Sequence, residues 1–184
     1  MRESGRQVFD PLLLQRAAKI RLLVLDVDGV LTDGKLYFDQ AGNEMKAFST
    51  RDGFGIKALQ RFGIPVAIIT GRSSSIVQRR AEELGISLVY QGCMNKLDAF
   101  NETLKKTGLD EIQACYAGDD WIDIPVLDRA GLAVTVADAD PLVKSRVHWV
   151  TENPGGRNAV REICHLILVA CGLDEVMLQD YLHS

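Results

Sequence analysis

The sequence lacks several features that would place it in a common functional class. No uninterrupted apolar stretch in its 184 residues approaches the roughly 20 residues that a membrane-spanning helix requires. It has no run of lysines and arginines, and its formal net charge is −4, whereas nucleic-acid-binding domains carry a basic patch. These absences exclude membrane insertion and argue against a nucleic-acid partner.

Cysteine is also sparse. The four cysteines form neither a CxxC pair nor a spacing typical of a disulfide framework. Residues 1–20 show no secretory signal peptide. Because free cysteines are mostly buried and reduced, we expect a cytoplasmic protein.

What the chain does contain is sufficient for one hydrophobic core. Hydrophobic residues make up 47% of it and charged residues 25%, close to the averages of globular domains. A chain of this length buries a core without disulfides or a structural metal. We therefore expect a single domain over residues 1–184, with a β-hairpin insertion at about 34–48 and a C-terminal tail at about 173–184.

Strand-like and helix-like segments alternate along most of the chain. The predicted strands cover residues 21–27, 66–69, 87–90, 114–117, 132–136 and 148–150, and the predicted helices cover 11–19, 52–62, 73–84, 96–107 and 157–171, with a further helix possible in 174–182. A glycine-containing turn at 39–43 indicates the hairpin. Such alternation predicts an α/β fold of Rossmann-like type, with a parallel sheet between two layers of helices.

Polar residues follow three of these strands directly. They are Asp26 and Asp28, Thr70, and the pair Asp119 and Asp120. Because ligands of open parallel sheets bind beyond the carboxyl ends of the strands, we expect these side chains to converge on one edge of the sheet.

Asp26 and Asp28 form the sequence DVDG. Two such charges about 4 Å apart repel by about 4 kcal/mol at an effective dielectric constant of ~20. A divalent cation removes this repulsion, and Mg²⁺ prefers oxygen ligands, with one or two carboxylates at a phosphate site. The alternative is that both acids cap the following turn.

The other three candidates also have structural alternatives. Thr70, followed by Gly71, offers a hydroxyl to a phosphoryl oxygen or caps the next helix. Lys96 lies at a helix N-terminus, against the helix dipole, and is either functional or a solvated surface lysine. In the segment GDDWID, Asp119 is the predicted metal ligand, while Asp120 and Asp123 are supporting residues in a capping-box arrangement.

The ordered set DxDG, Thr-Gly-Arg, Lys96 and GDDxxD resembles the four motifs of the haloacid dehalogenase superfamily. The resemblance implies a phosphatase in which Asp26 attacks phosphorus and forms an aspartyl-phosphate, and in which Asp28 acts as the acid and base. It also implies that Mg²⁺ is bound by Asp26, the main-chain carbonyl of Asp28 and Asp119. Thr70 and Lys96 would then hold the transferring phosphoryl group.

The chain is similar over most of its length to a narrower family, the 3-deoxy-D-manno-octulosonate 8-phosphate phosphatases of lipopolysaccharide precursor synthesis. The similarity lies in Asp33-Gly34 and the hairpin, in residues 48–56, in Tyr90-Gln91-Gly92, and in residues 155–162. It implies a phosphorylated sugar acid as substrate, contacted by Ser49, Gly53, Phe54, Gly55, Ile56, Lys57, Arg72, Arg80 and Lys96. Arginine suits a carboxylate because it binds it through two hydrogen bonds, although Arg80 is also compatible with a solvated helix face.

Members of this family lack a large cap domain and form homotetramers, in which the hairpin and C-terminal tail of neighbours help to close the active site.

Two other functions remain open from the residues alone. One is the same chemistry on another acidic sugar phosphate, such as a nonulosonate 9-phosphate. The other is a phosphoacceptor signalling domain, although such domains place the phosphorylated aspartate on a later strand than the acidic pair.

Overall fold

The computed structural model describes residues 2–3, 6–7 and 9–183. Its strands are β1 (Arg2–Glu3), β2 (Arg6–Gln7), β3 (Leu22–Leu25), β4 (Tyr37–Phe38), β5 (Glu44–Met45), β6 (Val66–Ile69), β7 (Leu88–Tyr90), β8 (Ala114–Ala117), β9 (Leu132–Thr135) and β10 (Trp149–Val150). Its α-helices are α1 (Pro11–Ala17), α2 (Thr50–Arg61), α3 (Ser75–Leu84), α4 (Lys96–Thr107), α5 (Ile124–Leu127), α6 (Pro141–Lys144), α7 (Ala159–Ala170) and α8 (Asp174–Leu182).

Six strands form one sheet in the order β10-β9-β8-β3-β6-β7, and every neighbouring pair is parallel. One face packs against α1, α2, α3 and α7. The other face packs against α4, α5 and α6. The predicted three-layer α/β fold is therefore confirmed.

The side chains of β3 show why this strand is buried on both faces. Leu23 and Leu25 belong to one hydrophobic cluster, whereas Leu22 and Val24 belong to the other. Successive side chains of a strand point to opposite faces, so a continuous apolar run is what a central strand with helices on both sides requires.

Most predicted elements are present with shifts of one or two residues at their ends. Helix α1 begins after Asp10, whose carboxylate accepts hydrogen bonds from the backbone N–H groups of Leu12 (2.9 Å) and Leu13 (3.2 Å). The predicted hairpin consists of β4 and β5, paired antiparallel. The helical tail is also confirmed, as α8. No helix in the described part of the chain is long and apolar enough to cross a membrane.

The strand order locates the site. From β3 the chain first adds β6 and β7 on one side, and then returns to add β8, β9 and β10 on the other. The connections leaving β3 and β8 therefore diverge at the carboxyl edge of the sheet, which creates a crevice between them. Asp26 follows β3 and Asp119 follows β8, so both lie at this crevice.

Candidate active site

Asp26 lies at the centre of the crevice. Its backbone N–H donates to the carbonyl of Ala117 (2.9 Å), which continues the pairing of β3 with β8 by one residue. Its carboxylate is nearly buried and forms an ion pair with the ammonium group of Lys96 (Oδ2 to Nζ, 2.9 Å). Lys96 begins α4, and its side chain is itself almost completely buried. The lysine is therefore a buried counter-ion and not a solvated surface residue.

Asp119 supplies a second carboxylate to the crevice that contains Asp26. Oxygen atoms of Asp26, Asp119 and Asp123 all lie within 4.8 Å of one another. Asp26 Oδ1 and Asp119 Oδ1 are buried, and neither has a hydrogen-bond partner among the described residues. Buried polar atoms are nearly always paired, and two unpaired carboxylate oxygens within one cluster of acids fit a hard divalent cation such as Mg²⁺.

Gly29 allows Asp119 to approach the loop after β3. A Cβ atom at this position would lie 2.0 Å from Asp119 Oδ2. The residue also has a φ angle of +97°, which disfavours any side chain. The glycine of the DVDG segment therefore makes room for the carboxylate, in addition to forming the turn.

Burial and mutual repulsion raise the pKa values of both acids. Desolvation is the largest cause for Asp26, followed by the charge of Asp123, and together they outweigh Lys96 and raise its pKa to about 7. Desolvation and the charges of Asp26 and Asp123 raise the pKa of Asp119 to about 8. For Lys96, burial opposes the charged form, but Asp26 and Asp123 outweigh it and raise the pKa. The site therefore favours additional positive charge.

Asp123 joins the two sides of the crevice. Its Oδ1 accepts hydrogen bonds from Lys96 Nζ (2.7 Å) and from the hydroxyl of Tyr116 (2.6 Å). Its Oδ2 accepts from the backbone N–H groups of Asp119 and Asp120, both at 3.1 Å. A carboxylate has about four acceptor sites, so Asp123 is fully occupied and is a poor candidate for a metal ligand.

Asp120 starts the 3-10 helix Trp121–Asp123 as predicted. Its carboxylate accepts a hydrogen bond from the backbone N–H of Trp121 (2.7 Å), and together with Asp123 it forms a capping box. This arrangement explains part of the acid-rich segment by local structure alone.

Asp28 points to a different set of partners. Its Oδ1 forms an ion pair with Lys46, and its Oδ2 lies 3.8 Å from Nε of Arg72. Lys46 follows β5 of the hairpin and Arg72 follows β6. The second aspartate of the DVDG segment is thus contacted by the hairpin of its own chain.

The hairpin is also joined to the loop after β6. Glu44 accepts hydrogen bonds from Arg72 Nη2 (3.0 Å) and from the hydroxyl of Ser74 (3.0 Å). Thr70 lies at the start of the same loop and is 2% exposed. It does not cap α3, because Ser74 is the N-cap residue there. The base of the hairpin therefore borders the crevice that contains Asp26.

The predicted substrate-binding residues fall into separate groups. Arg72 lies at the crevice beside Asp28. Ser49, Gly53 and Arg80 meet at the N-terminus of α2, where Arg80 Nη2 donates to the carbonyl of Ser49 (3.4 Å). A Cβ atom on Gly53 would lie 2.5 Å from Arg80 Nη2. Arg80 is therefore packed against α2 and does not lie on a solvated helix face.

Four other predicted substrate contacts lie on α2 and face in different directions. Ile56 is fully buried in the core, and Gly55 packs against Cys164. The ring of Phe54 contacts that of Tyr181 of α8 in a tilted arrangement, with the centroids 5.6 Å apart. The Nζ of Lys57 lies near Gly85, at the far end of α3. The reason is the helical period of 3.6 residues, which points consecutive residues in different directions.

Comparison with known proteins identifies the family. Residues 89–162 match the model of the haloacid dehalogenase-like hydrolases. The chain is 51% identical over 171 residues to the 3-deoxy-D-manno-octulosonate 8-phosphate phosphatase of Salmonella typhimurium, covering 92% of this chain and 91% of the relative. It belongs to this phosphatase family.

Solved structures of the family superpose closely on the fold. The phosphatase from Yersinia pestis has a TM-score of 0.87 at 50% identity, covering 89% of this chain and 88% of that one. The phosphatase from Moraxella catarrhalis, solved with magnesium, phosphate and KDO, has a TM-score of 0.88 at 41% identity, covering 91% of this chain and 97% of that one. The family resemblance inferred from the four motifs is confirmed.

Sequence reasoning missed three residues at this phosphatase site: Lys46, Glu44 and Tyr116. The first two lie in a polar hairpin, where charged residues are ordinarily solvated, so no local pattern distinguishes them. Tyr116 lies within the apolar strand β8, and its hydroxyl is a polar atom in a buried run. A buried tyrosine hydroxyl usually has a hydrogen-bond partner. A tyrosine within an apolar strand was therefore the sequence feature that could have indicated a polar group beside β8.

Proposed function

We propose that this chain is a magnesium-dependent phosphatase that hydrolyses 3-deoxy-D-manno-octulosonate 8-phosphate to the free sugar acid and phosphate. The observation that carries the proposal is the pair of buried, unpartnered oxygens on Asp26 and Asp119, beside the ammonium group of Lys96. They supply a nucleophile, a cation site and a fixed positive charge at one edge of the sheet. The 51% identity to phosphatases of this substrate supports the choice of sugar acid.

Asp26 is the proposed nucleophile. Its carboxylate oxygen forms a bond to phosphorus while the bond from phosphorus to the sugar oxygen breaks, and Asp28 gives its proton to that oxygen. Asp28 then takes a proton from water, and the resulting hydroxide displaces phosphate from Asp26. A covalent intermediate of this kind divides one difficult hydrolysis into two easier steps.

The positive charges at the site serve the transferring phosphoryl group. Its oxygens are anionic, and so is the attacking carboxylate, which makes charge neutralisation the main requirement. Asp26, the carbonyl of Asp28 and Asp119 would hold Mg²⁺, which when bound supplies two positive charges to these oxygens. Lys96 and the hydroxyl of Thr70 contact the same group, and Arg72 and Arg80 are proposed to bind the sugar acid.

The test is release of phosphate from a panel of sugar phosphates that includes the octulosonate 8-phosphate and a nonulosonate 9-phosphate. We expect the highest kcat/KM for the octulosonate and no turnover in the presence of a chelator. Asp26→Asn, which is nearly isosteric, should lose activity by a factor of about 10³ or more because the nucleophile is absent. Turnover by this variant comparable to that of the wild type would refute the assignment of Asp26.

We further propose that the protein assembles as a homotetramer in the cytoplasm. Large apolar side chains are exposed on the hairpin, at Leu36, Tyr37, Phe38 and Met45, and on α8, at Val176, Leu178, Tyr181 and Leu182. Concentrations of such residues favour an interface.

All four cysteines are unpaired, as is usual for proteins of the reducing cytosol.

Light scattering after gel filtration tests the assembly. Phe38→Ser should shift the mass toward smaller species, since it removes an exposed apolar group from the hairpin. Leu12→Ser is the matched control, because Leu12 is at least as exposed as Phe38 but lies on α1. A wild-type protein that remains monomeric at high concentration would contradict the proposal.

A further inference from the structure

Lys46 is buried to an extent that its position on a hairpin does not explain. Its side chain is 1% exposed, and its ammonium group pairs with Asp28 and lies 3.5 Å from Glu44. Lysines are almost never fully buried unless they are paired. By contrast, Lys35, which flanks the other strand of the same hairpin, has a side chain that is 67% exposed.

Lys46 and Arg72 approach the carboxylate of Asp28 from two sides. Lys46 contacts Oδ1 of Asp28, and Arg72 approaches Oδ2 at 3.8 Å. Glu44 in turn holds both cations, Lys46 at 3.5 Å and Arg72 at 3.0 Å. Asp28 is therefore fixed by a network of alternating charges and not by the backbone turn alone.

We propose that Lys46 is a positioning residue that orients the carboxyl group of Asp28 toward the leaving-group oxygen. The inference rests on the proposed function, in which Asp28 gives a proton to that oxygen as its bond to phosphorus breaks. Proton transfer requires the acid within about 2.6–3.2 Å of its target. A side chain held at both oxygens keeps this geometry, whereas a free carboxyl group rotates.

This role has a chemical signature that a merely structural role lacks. An alkoxide or phenolate that is a poor leaving group needs the proton, whereas p-nitrophenolate departs without one. Loss of Lys46 should therefore slow the transfer from an ester with a poor leaving group more than the transfer from p-nitrophenyl phosphate. The value of kcat/KM reports this first transfer, because it extends only as far as departure of the leaving group.

The experiment compares Lys46→Met, which keeps the apolar stem, with the wild type on phenyl phosphate and p-nitrophenyl phosphate. We expect kcat/KM to fall about 10-fold or more on phenyl phosphate and less than about threefold on the nitrophenyl ester. The upper limit of the loss is the ~10²–10⁴-fold that a positioned acid supplies. Lys46→Arg, which keeps the charge, should recover most of the lost rate. Lys35→Ala should behave as the wild type on both esters.

Equal losses on both esters would overturn the inference, because they would indicate a general effect on the fold. So would an unchanged rate on both. A second test introduces Lys46→Met into Asp28→Asn, where it should have little further effect, since the two residues act through one another. Fully multiplicative losses would contradict a role through Asp28.

The role of Lys46 and the proposed function can fail independently of each other in these experiments. If the wild type hydrolyses both aryl phosphates but not the octulosonate 8-phosphate, the proposed substrate is wrong, while the ratio between the two esters still tests Lys46. If the sugar phosphate is turned over and the ratio does not change, the proposed function stands and the role of Lys46 fails.

Discussion

At the scale of single residues, Tyr116 connects the core to the charged site. It is fully buried, its ring packs edge-on against Phe100 at 6.2 Å, and its hydroxyl donates to Asp123. Desolvation and the charge of Asp123 raise its pKa well above the usual range, so the hydroxyl keeps its proton and remains a donor. The chain of contacts runs from Tyr116 through Asp123 and Lys96 to Asp26.

Tyr116→Phe should weaken this chain without altering the packing of the ring. The free energy of unfolding should fall by about 1.5–3 kcal/mol, the usual worth of a hydrogen bond to a charged group. Phosphate should inhibit the variant less strongly, because Lys96 is less firmly held. Chemical denaturation and inhibition by inorganic phosphate provide the two measurements.

The matched control is Tyr37→Phe. The hydroxyl of Tyr37 also donates to a carboxylate, that of Asp33 (2.7 Å), but this pair is exposed. Its loss should change the free energy of unfolding by no more than about 0.5 kcal/mol. If Tyr116→Phe proved equally neutral, the buried hydrogen bond would not be a significant part of the site.

At the scale of elements, a loop between β10 and α7 supports the loop after β3. The N–H of Gly156 donates to the carbonyl of Val30 (2.9 Å). Gly155 comes closer still, because a Cβ atom there would lie 1.7 Å from the carbonyl oxygen of Gly29. Gly29 in turn touches Asp119, so the two loops are packed as one unit with the carboxylate that we propose as a metal ligand.

Gly155→Ala should therefore displace the loop after β3. The obstructing atoms are backbone, which cannot rotate away, so we expect a loss of about 1–3 kcal/mol in the free energy of unfolding, as in other overpacked sites. Affinity for Mg²⁺, measured by calorimetric titration, should fall at least severalfold.

Gly108→Ala separates this effect from ordinary glycine strain. Gly108 has a φ angle of +68°, but apart from its neighbours in the chain no atom of the described residues lies within 4 Å of its Cβ position. The substitution should cost about 1–2 kcal/mol through backbone strain alone and leave Mg²⁺ affinity unchanged. Wild-type affinity in Gly155→Ala would show that the two loops are not coupled to the metal site.

At the scale of the whole molecule, the buried acids link stability to pH and to metal. Asp26 and Asp119 have pKa values of about 7 and about 8 in the fold, against 3.8 when exposed. Without metal, the folded state therefore binds more protons than the unfolded state between these values. The stability that both acids contribute is fully present below about pH 3.8 and is lost progressively as the pH rises to their folded-state pKa values of about 7 and about 8.

Mg²⁺ should reverse this trend, because it binds the ionised carboxylates and competes with protons. The increase in Tm that Mg²⁺ produces over a chelator should be larger at about pH 9 than at about pH 6. Thermal melting at the two pH values provides the measurement. Asp119→Asn, which removes one ionisable ligand, should lose most of the response, and an equal increase at both pH values in the wild type would contradict the account.

Much of the architecture could be predicted from local patterns. The apolar runs that became β3, β6 and β8, and the polar residues that follow them, are local features of the sequence. Parallel strands bring their carboxyl ends to one edge of the sheet. The sequence alone therefore predicts that Asp26, Thr70 and Asp119 lie at the same edge. Lys96 could be selected because it opposes the dipole of its own helix.

The sequence by itself determined the layers, the order of the motifs and the edge of the sheet where the acids meet, because these depend on periodicity and on strand direction. Only the tertiary structure decided which charges pair. Lys46 reaches Asp28 across 18 residues, and Lys96 reaches Asp123 across 27. The partner of a charged side chain depends on which distant segments pack against it and on which atoms are buried, because burial strengthens the interaction between charges. Neither property can be read from the residues next to it in the sequence.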